Sequence, residues 1–380
     1  MFSPSTPRSE KMTMAKTNTT KYSSIESSAL EDSTLKNSAL ENSTLENTAT
    51  ATAWQSRLAQ LWAWIVNHPK SIATAILVIS MLLFLTLNVN GHWDFALPLR
   101  GKKLLALMVV GYAIGVSTLL FQTLTHNPIL TPSLLGFDSL YVLLQSLLVF
   151  FLGAISFTSI DPLAKFTLEI VLMFGASLLL FKLLFSKSSQ DLTRLILVGV
   201  IFGVLFRSLS ALIARLINPD DFVVVQSASY AQFNTVNPQL LGISLFICAI
   251  TAIFVWRWRY QCDVLMLGKS QAINLGIHYQ RLAFGLLTVI AVLVATATAL
   301  VGPVTFFGLL VCALTNRIAR HMYHSERLIL VSLVAMICLV LGQTIFEQVL
   351  DMAGVLSVVI ELAGGLMFLA LIFMSQRRSL

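Results

Sequence analysis

The sequence predicts an all-α polytopic membrane protein with about ten transmembrane helices, each needing about 20 apolar residues. Two observations carry that prediction. The 380 residues are 56% hydrophobic and only 11% charged, with a mean hydropathy of +0.81, whereas a soluble domain is about 25% charged. The apolar residues also gather into runs long enough to cross a bilayer. An ordinary soluble enzyme and a disordered chain are both excluded, because neither tolerates so apolar a surface. The net charge is +7, but the positive residues lie between apolar runs. They read as topology signals facing lipid headgroups, not as a nucleic-acid patch.

Residues 1–56 are rich in Ser, Thr, Asn and Glu and nearly lack aromatics. No apolar run follows the N-terminus, so this is not read as a signal peptide. Leu30, Leu35, Leu40 and Leu45 mark a period of five. Four such units resemble pentapeptide repeats but are too few to bury a core. The segment is expected to be a disordered cytoplasmic tail. Residues 57–70 follow as an interfacial amphipathic segment. Over 53–69, Trp54, Leu58, Leu61, Trp62 and Ile65 recur at helical spacing, consistent with a helix lying on the membrane or extending the first span.

The transmembrane domain is expected over 71–380. Its apolar segments fall at 71–89, 104–124, 133–153, 166–185, 194–214, 238–256, 282–300, 304–320, 328–346 and 355–374. The eighth is short. An even number of spans places both termini on one side. With the termini inside, 14 Lys and Arg residues lie at the inner side and 5 at the outer, which favours a cytoplasmic location of both ends. The cluster Arg100-Gly101-Lys102-Lys103 breaks that pattern and calls for another explanation.

Enzyme signatures are missing: no HExxH, GxSxG or GxGxxG occurs. Gly268-Lys269-Ser270 resembles the end of a phosphate-binding loop, but Asp263 stands where that loop needs glycine. No catalytic residue and no cofactor is expected. The four cysteines form no CxxC pair, so neither a zinc site nor a disulfide framework is indicated. His321 and His324 read as an interfacial helix end rather than as metal ligands. The loop 257–281 is more informative. Gly268 and Gly276 bracket a short amphipathic stretch, Lys269 to Leu275, with Ala272 on a small face and Gly276 as a helix stop. A short helix held flat between two turns suits docking into a groove on another protein.

The run Leu267-Gly-Lys-Ser-Gln-Ala-Ile-Asn-Leu-Gly-Ile resembles the LGxxxAxxLGV loop of FecCD-type permeases, the membrane subunits of type II ABC importers for siderophores, haem and cobalamin. Three more matches follow the family's order. Gly111 to Gly136 resembles its second span, NP turn and following LLG. Gly302-Pro-Val-Thr-Phe-Phe-Gly resembles its GPIGFVG segment. Gly364-Gly365 resembles its terminal GG stretch. Two departures stand out. Cys312 and Ala313 occupy the positions of the family's Pro and His. Tyr230 to Asn237 replaces its WxxGS loop, a variant resembling the catecholate-siderophore branch.

The resemblance implies ten spans, a second permease subunit (identical or different), a cytoplasmic ABC ATPase and a periplasmic substrate-binding protein in a bacterial inner membrane. It implies that Gly268, Ala272, Leu275 and Gly276 form the ATPase-coupling surface. Arg100 and Lys103 take the arginine positions of the family's RxPR motif, with Lys102 replacing Pro, and would meet acidic residues of the binding protein. Arg207 lies inside a predicted span, where a charge costs about 2.5–3.5 kcal/mol. It, Phe233 and Asn234 are candidates for the translocation pathway, with a buried structural pair as the other reading of Arg207. The expected function is therefore a permease subunit passing a ferric siderophore, of catecholate type, inward. A haem or cobalamin permease and an ion-driven secondary transporter are the alternatives. The last is disfavoured because no relay of Asp, Glu or His runs through the spans.

Overall fold

The computed structural model describes residues 68–87, 93–185, 192–234, 236–319, 321, 323–348 and 356–377. The expected tail 1–56 and most of the segment 57–70 lie outside the described residues. From His68 onward the chain forms one compact unit. Its described residues contain helices and turns but no strand.

Twelve α-helices occur among them. They are α1 (Pro69–Thr86), α2 (Trp93–Thr125), α3 (Phe137–Ser159), α4 (Pro162–Phe185), α5 (Leu192–Leu216) and α6 (Pro219–Ala228). The second half adds α7 (Pro238–Leu265), α8 (Lys269–Asn274), α9 (Tyr279–Val301), α10 (Phe307–Ile318), α11 (His324–Gln348) and α12 (Leu356–Arg377). Each of the ten expected segments has a helix. Eight helices are long and apolar enough to span a bilayer among the described residues, whereas α10 is a 12-residue helix. At a rise of about 1.5 Å per residue, α10 reaches only about 18 Å. The turn 302–306 joins it to the C-terminus of α9.

Three differences from the expected boundaries matter for function. Helix α2 starts at Trp93 rather than near 104, and Pro98 sits early within it. Helix α7 continues to Leu265, so the first nine residues of the expected loop 257–281 are helical. The short helix α6 was not foreseen in the segment after α5. Local chemistry accounts for the start of α7. Asn237 accepts a hydrogen bond from the Gln239 amide at 2.9 Å, and Pro238 occupies the first turn, where its missing N–H costs nothing.

The centre of the unit is α2 and α9, most of whose side chains are buried. Helix α2 packs against α11, α9, α7 and α10, while α9 also meets α4 and α3. Helices α5 and α12 are peripheral. The former packs on α3 and the 3-10 turn Pro132–Leu135, the latter on α10 and α11. The core contains Leu107, Leu119, Phe121, Leu286, Leu287 and Phe307. Its tightest backbone approach joins Gly136 to Gly203 of α5, where a Cβ on Gly136 would lie 2.7 Å from the Gly203 Cα.

The helices alternate between two ends. One carries α8, the C-terminus of α7 and the N-terminus of α11. The opposite end carries the N-terminus of α2 and the C-terminus of α11. Contacts confirm this pairing, because Asp263 of α7 meets His324 of α11 and Lys103 of α2 meets Glu347 of α11.

Candidate functional site

At its own end of the molecule, α8 is a single helical stretch held between two left-handed glycines. Gly268 has φ +103° and Gly276 has φ +84°. The Ile277 amide donates to the Ala272 carbonyl at 3.0 Å and the Gly276 amide to Ile273 at 3.0 Å. This is the closed helix end that a glycine in the left-handed region permits. Ala272 is fully buried against the body, so the helix is anchored by a small residue. Leu267, Ile273 and Leu275 point the other way and are 55%, 49% and 62% exposed. These aliphatic side chains belong to the loop and α8, not to a spanning helix, and together make an apolar patch that suits a protein partner. A cavity of about 270 Å³ lies beside it, lined by Trp258, Gln261, Gly276, His278 and Arg281. Of the residues expected on this surface, Gly268, Ala272, Leu275 and Gly276 are thus together, with Ala272 as the anchor and Leu275 as the exposed face.

Beneath α8 four helix ends are tied together. The His324 side chain is fully buried. Its Nδ1 lies 2.7 Å from Asp263 Oδ1 and its Nε2 lies 2.7 Å from Thr123 Oγ1 of α2. Asp263 also accepts the His324 backbone N–H at 2.6 Å, placing an anion at the N-terminus of α11. Arg327 donates to Asn316 of α10 at 2.8 Å. His126 Nε2 meets the Leu265 carbonyl at 2.8 Å. The sequence reading of His324 as a bland helix end did not foresee this. Its partners lie 61 and 201 positions away, beyond any local pattern.

At the opposite end the cationic cluster is divided by its contacts. Arg100 Nη1 donates to the carbonyls of Phe84 at 3.1 Å, Leu85 at 3.3 Å and Leu87 at 2.5 Å. It satisfies carbonyls that the end of α1 leaves open. Lys103 forms an ion pair with Glu347, whose carboxylate also accepts from Gln343 at 2.7 Å. Lys102 is exposed. The three positive residues therefore do not stand together as free docking charges: two have partners inside the chain. Phe233 is 3% exposed and part of the core, while Asn234 beside it is exposed. The Phe233 ring packs against the fold, leaving Asn234 to face outward.

Arg207 is exposed on α5. Across from it, Asp138 at the start of α3 approaches the hydroxyls of Thr305 and Ser133 and lies within electrostatic reach of Arg207 and Glu361. Thr305 donates to Glu361 of α12 at 3.4 Å. Asp138 Oδ2 is buried without a hydrogen-bond partner. Asp138, Thr305 and Glu361 thus gather between α3, α12 and the 302–306 turn, within electrostatic reach of Arg207 on α5. Sequence reasoning singled out Arg207 but passed over Asp138. Its signal was available: an acid inside a predicted span marks a functional position by default. A second polar pair lies nearer the end away from α8. Glu169 accepts from Gln145 at 2.6 Å and faces Lys165 at 3.9 Å, beside a cavity of about 320 Å³. Among the described residues no group of three or more His, Cys, Asp or Glu is placed to hold a metal ion.

The FecCD transport family matches residues 53–374. The chain belongs to that family. It is 40% identical over 306 residues to the petrobactin import system permease protein YclO of Bacillus subtilis, covering 80% of this chain and 96% of that protein. It is 32% identical over 273 residues to the petrobactin import system permease protein FatC of Bacillus anthracis, covering 72% and 77%. Among solved structures, an inward-facing conformation of a putative metal-chelate type ABC transporter superposes with a TM-score of 0.71 at 21% identity, covering 81% of this chain and 99% of that one. That match shows the shared fold. This FecCD-family chain is the multi-pass permease subunit of an ABC importer, a transport subunit rather than an enzyme. The exposed α8 patch lies on the loop the family resemblance assigns to coupling, while Thr305 and Glu361 lie on elements matching its GPIGFVG and terminal GG stretches and Asp138 follows its LLG match.

Proposed function

We propose that this permease passes a ferric siderophore of catecholate type inward, with petrobactin the first cargo to test. The names of two relatives, at 40% and 32% identity, support the cargo. The Tyr230–Asn237 loop variant supports the catecholate class. The observation that carries the machine is α8, an anchored helix presenting Leu267, Ile273 and Leu275 outward. An ABC ATPase docks there, against Gly268, Ala272, Leu275 and Gly276. ATP-driven closure pushes α8 and rocks the spans. Both termini and α8 are cytoplasmic, as the positive-residue balance favours. A substrate-binding protein docks at the opposite end. Lys102 offers it an exposed charge, while Arg100 and Lys103 hold the surface in shape. Such charge complementarity speeds and orients docking more than it tightens it.

A second permease subunit covers the peripheral faces of α5 and α12. Arg207 supports this, because an exposed cation inside a span is stable only against a partner or an aqueous path. The Arg207, Asp138 and Glu361 group lines that path, with Asn234 at its mouth. Uptake of ferric petrobactin in cells lacking this chain tests the proposal. Wild type restores uptake, and Gly276→Arg does not, although it reaches the membrane. Unchanged uptake on deletion, or uptake of hemin in place of the siderophore, refutes the cargo. Full rescue by Gly276→Arg refutes the docking surface.

A further inference from the structure

The joint beneath α8 goes further, and its use in transport rests on α8 being the ATPase-docking helix. Hydrogen counting leaves it two forms. Thr123 Oγ1 lies 2.9 Å from the Leu119 carbonyl and 2.7 Å from His324 Nε2. A hydroxyl owns one hydrogen. If it is donated to Leu119, the contact with His324 requires a hydrogen on Nε2. The other ring nitrogen, Nδ1, faces the Asp263 carboxylate at 2.7 Å, and an ionised carboxylate only accepts. All three bonds form together only when the ring carries hydrogens on both nitrogens, as an imidazolium. The neutral ring must surrender one of them: Thr123 then turns its hydrogen to Nε2 and leaves Leu119.

We infer that the Asp263–His324–Thr123 chain is the joint that carries displacement of α8 into α2 and α11, with His324 as the link between Asp263 and Thr123. The connectivity is direct. Asp263 is five residues before Gly268, on the helix that leads into α8. Asp263 holds both the ring and the first amide of α11. Thr123 belongs to the last turn of α2, the most buried helix. The His126 contact to Leu265 runs parallel to it. The charges facing the ring are few. Asp263 comes from α7. Arg327, on α11 itself, is engaged by Asn316 of α10, and Glu326 is its buried neighbour on α11. From α2 the ring meets only the Thr123 hydroxyl. His324 is a positioning residue: it touches no cargo and acts through the helices it joins.

The test uses the complete importer in liposomes, with the ATPase facing the bath and ferric petrobactin and binding protein enclosed. Uptake per ATP hydrolysed is measured for wild type and His324→Gln. A pair of spin labels at Ser270 and Leu99, both exposed, reads ATP-driven movement without any cargo. His324→Gln is expected to retain bound ATPase and ATP hydrolysis but to lose about fivefold in uptake per ATP, the worth of one hydrogen bond, and to shrink the label movement. Thr123→Val, which leaves the ring and Asp263 in place, repeats the loss and serves if His324→Gln fails to fold. Unchanged uptake per ATP and label movement in Thr123→Val or His324→Gln, with ATPase bound, overturns the joint. ATPase that remains bound to Gly276→Arg instead overturns the docking site itself, a separate result.

Discussion

Lys103→Met separates a structural charge from a docking one. The Lys103–Glu347 pair joins the beginning of α2 to the end of α11, the two helices packed most extensively on each other. The two side chains keep only 11% and 9% of their surface exposed. Removing the cation leaves Glu347 with Gln343 as its hydrogen-bond donor. Breaking a buried pair on one side costs about 3–5 kcal/mol. The residual exposure places this pair at the low end, roughly 3 kcal/mol. That predicts a fall in the melting midpoint of the purified importer of roughly 5–10 °C. Glu347→Gln should cost a similar amount by stranding the ammonium. The double variant Lys103→Met with Glu347→Gln should lose clearly less than the sum, with a coupling of about 1–3 kcal/mol. Differential scanning fluorimetry in detergent reads all four proteins. Strictly additive losses would refute the pairing. A Lys103→Met protein of unchanged midpoint, but with slow, salt-sensitive association with the binding protein, would show that Lys103 faces the partner instead.

Further outcomes follow from the same geometry. Lys102→Glu leaves the midpoint unchanged but slows binding-protein association at low salt, and the difference fades as salt is raised past about 0.15 M; stopped-flow association kinetics measure it. Gly276→Ala meets open space but keeps φ +84°, costing only about 1–2 kcal/mol of local strain. It should co-purify with ATPase at reduced yield, whereas Gly276→Arg should lose it. Asp138→Asn and Arg207→Gln should each lower uptake about tenfold, equivalent to 1.4 kcal/mol, and the double variant should be no worse than either if they act as one group. Gly203→Val places a Cβ 3.1 Å from the Gly136 Cα and should destabilise α5 by about 1–3 kcal/mol, read as increased proteolysis of membranes carrying the variant.

The helices were legible in the sequence because lipid imposes a one-dimensional rule. A span must be apolar for its whole length and must satisfy its own backbone hydrogen bonds. Composition therefore marked each of the ten helices, and the departures arose where that rule relaxes. Helix α7 runs on to Leu265 through Arg257 and Arg259 because the polar interface tolerates charge on a helix that already exists. Helix α6 escaped notice because ten residues outside the core need no apolar run. Helix α8 was legible for a different reason: Gly268 and Gly276 are read as turns wherever they bracket a short pattern, since only glycine enters the left-handed region cheaply.

What the sequence determined by itself was the class of machine, its spans, its short helix α8 and its family. Those properties are local, or repeat along the chain. Charges inside the fold were decided only in three dimensions. Arg100, Lys102 and Lys103 look alike in sequence, yet one closes a helix end, one pairs across 244 positions and one stays exposed. Asp138 and Glu361 are brought to Thr305, and His324 to Asp263 and Thr123, by helix packing alone. The physical reason is the low dielectric of the interior. There the energy of a charge depends on which group stands within a few ångströms, and that group is chosen by the tertiary fold.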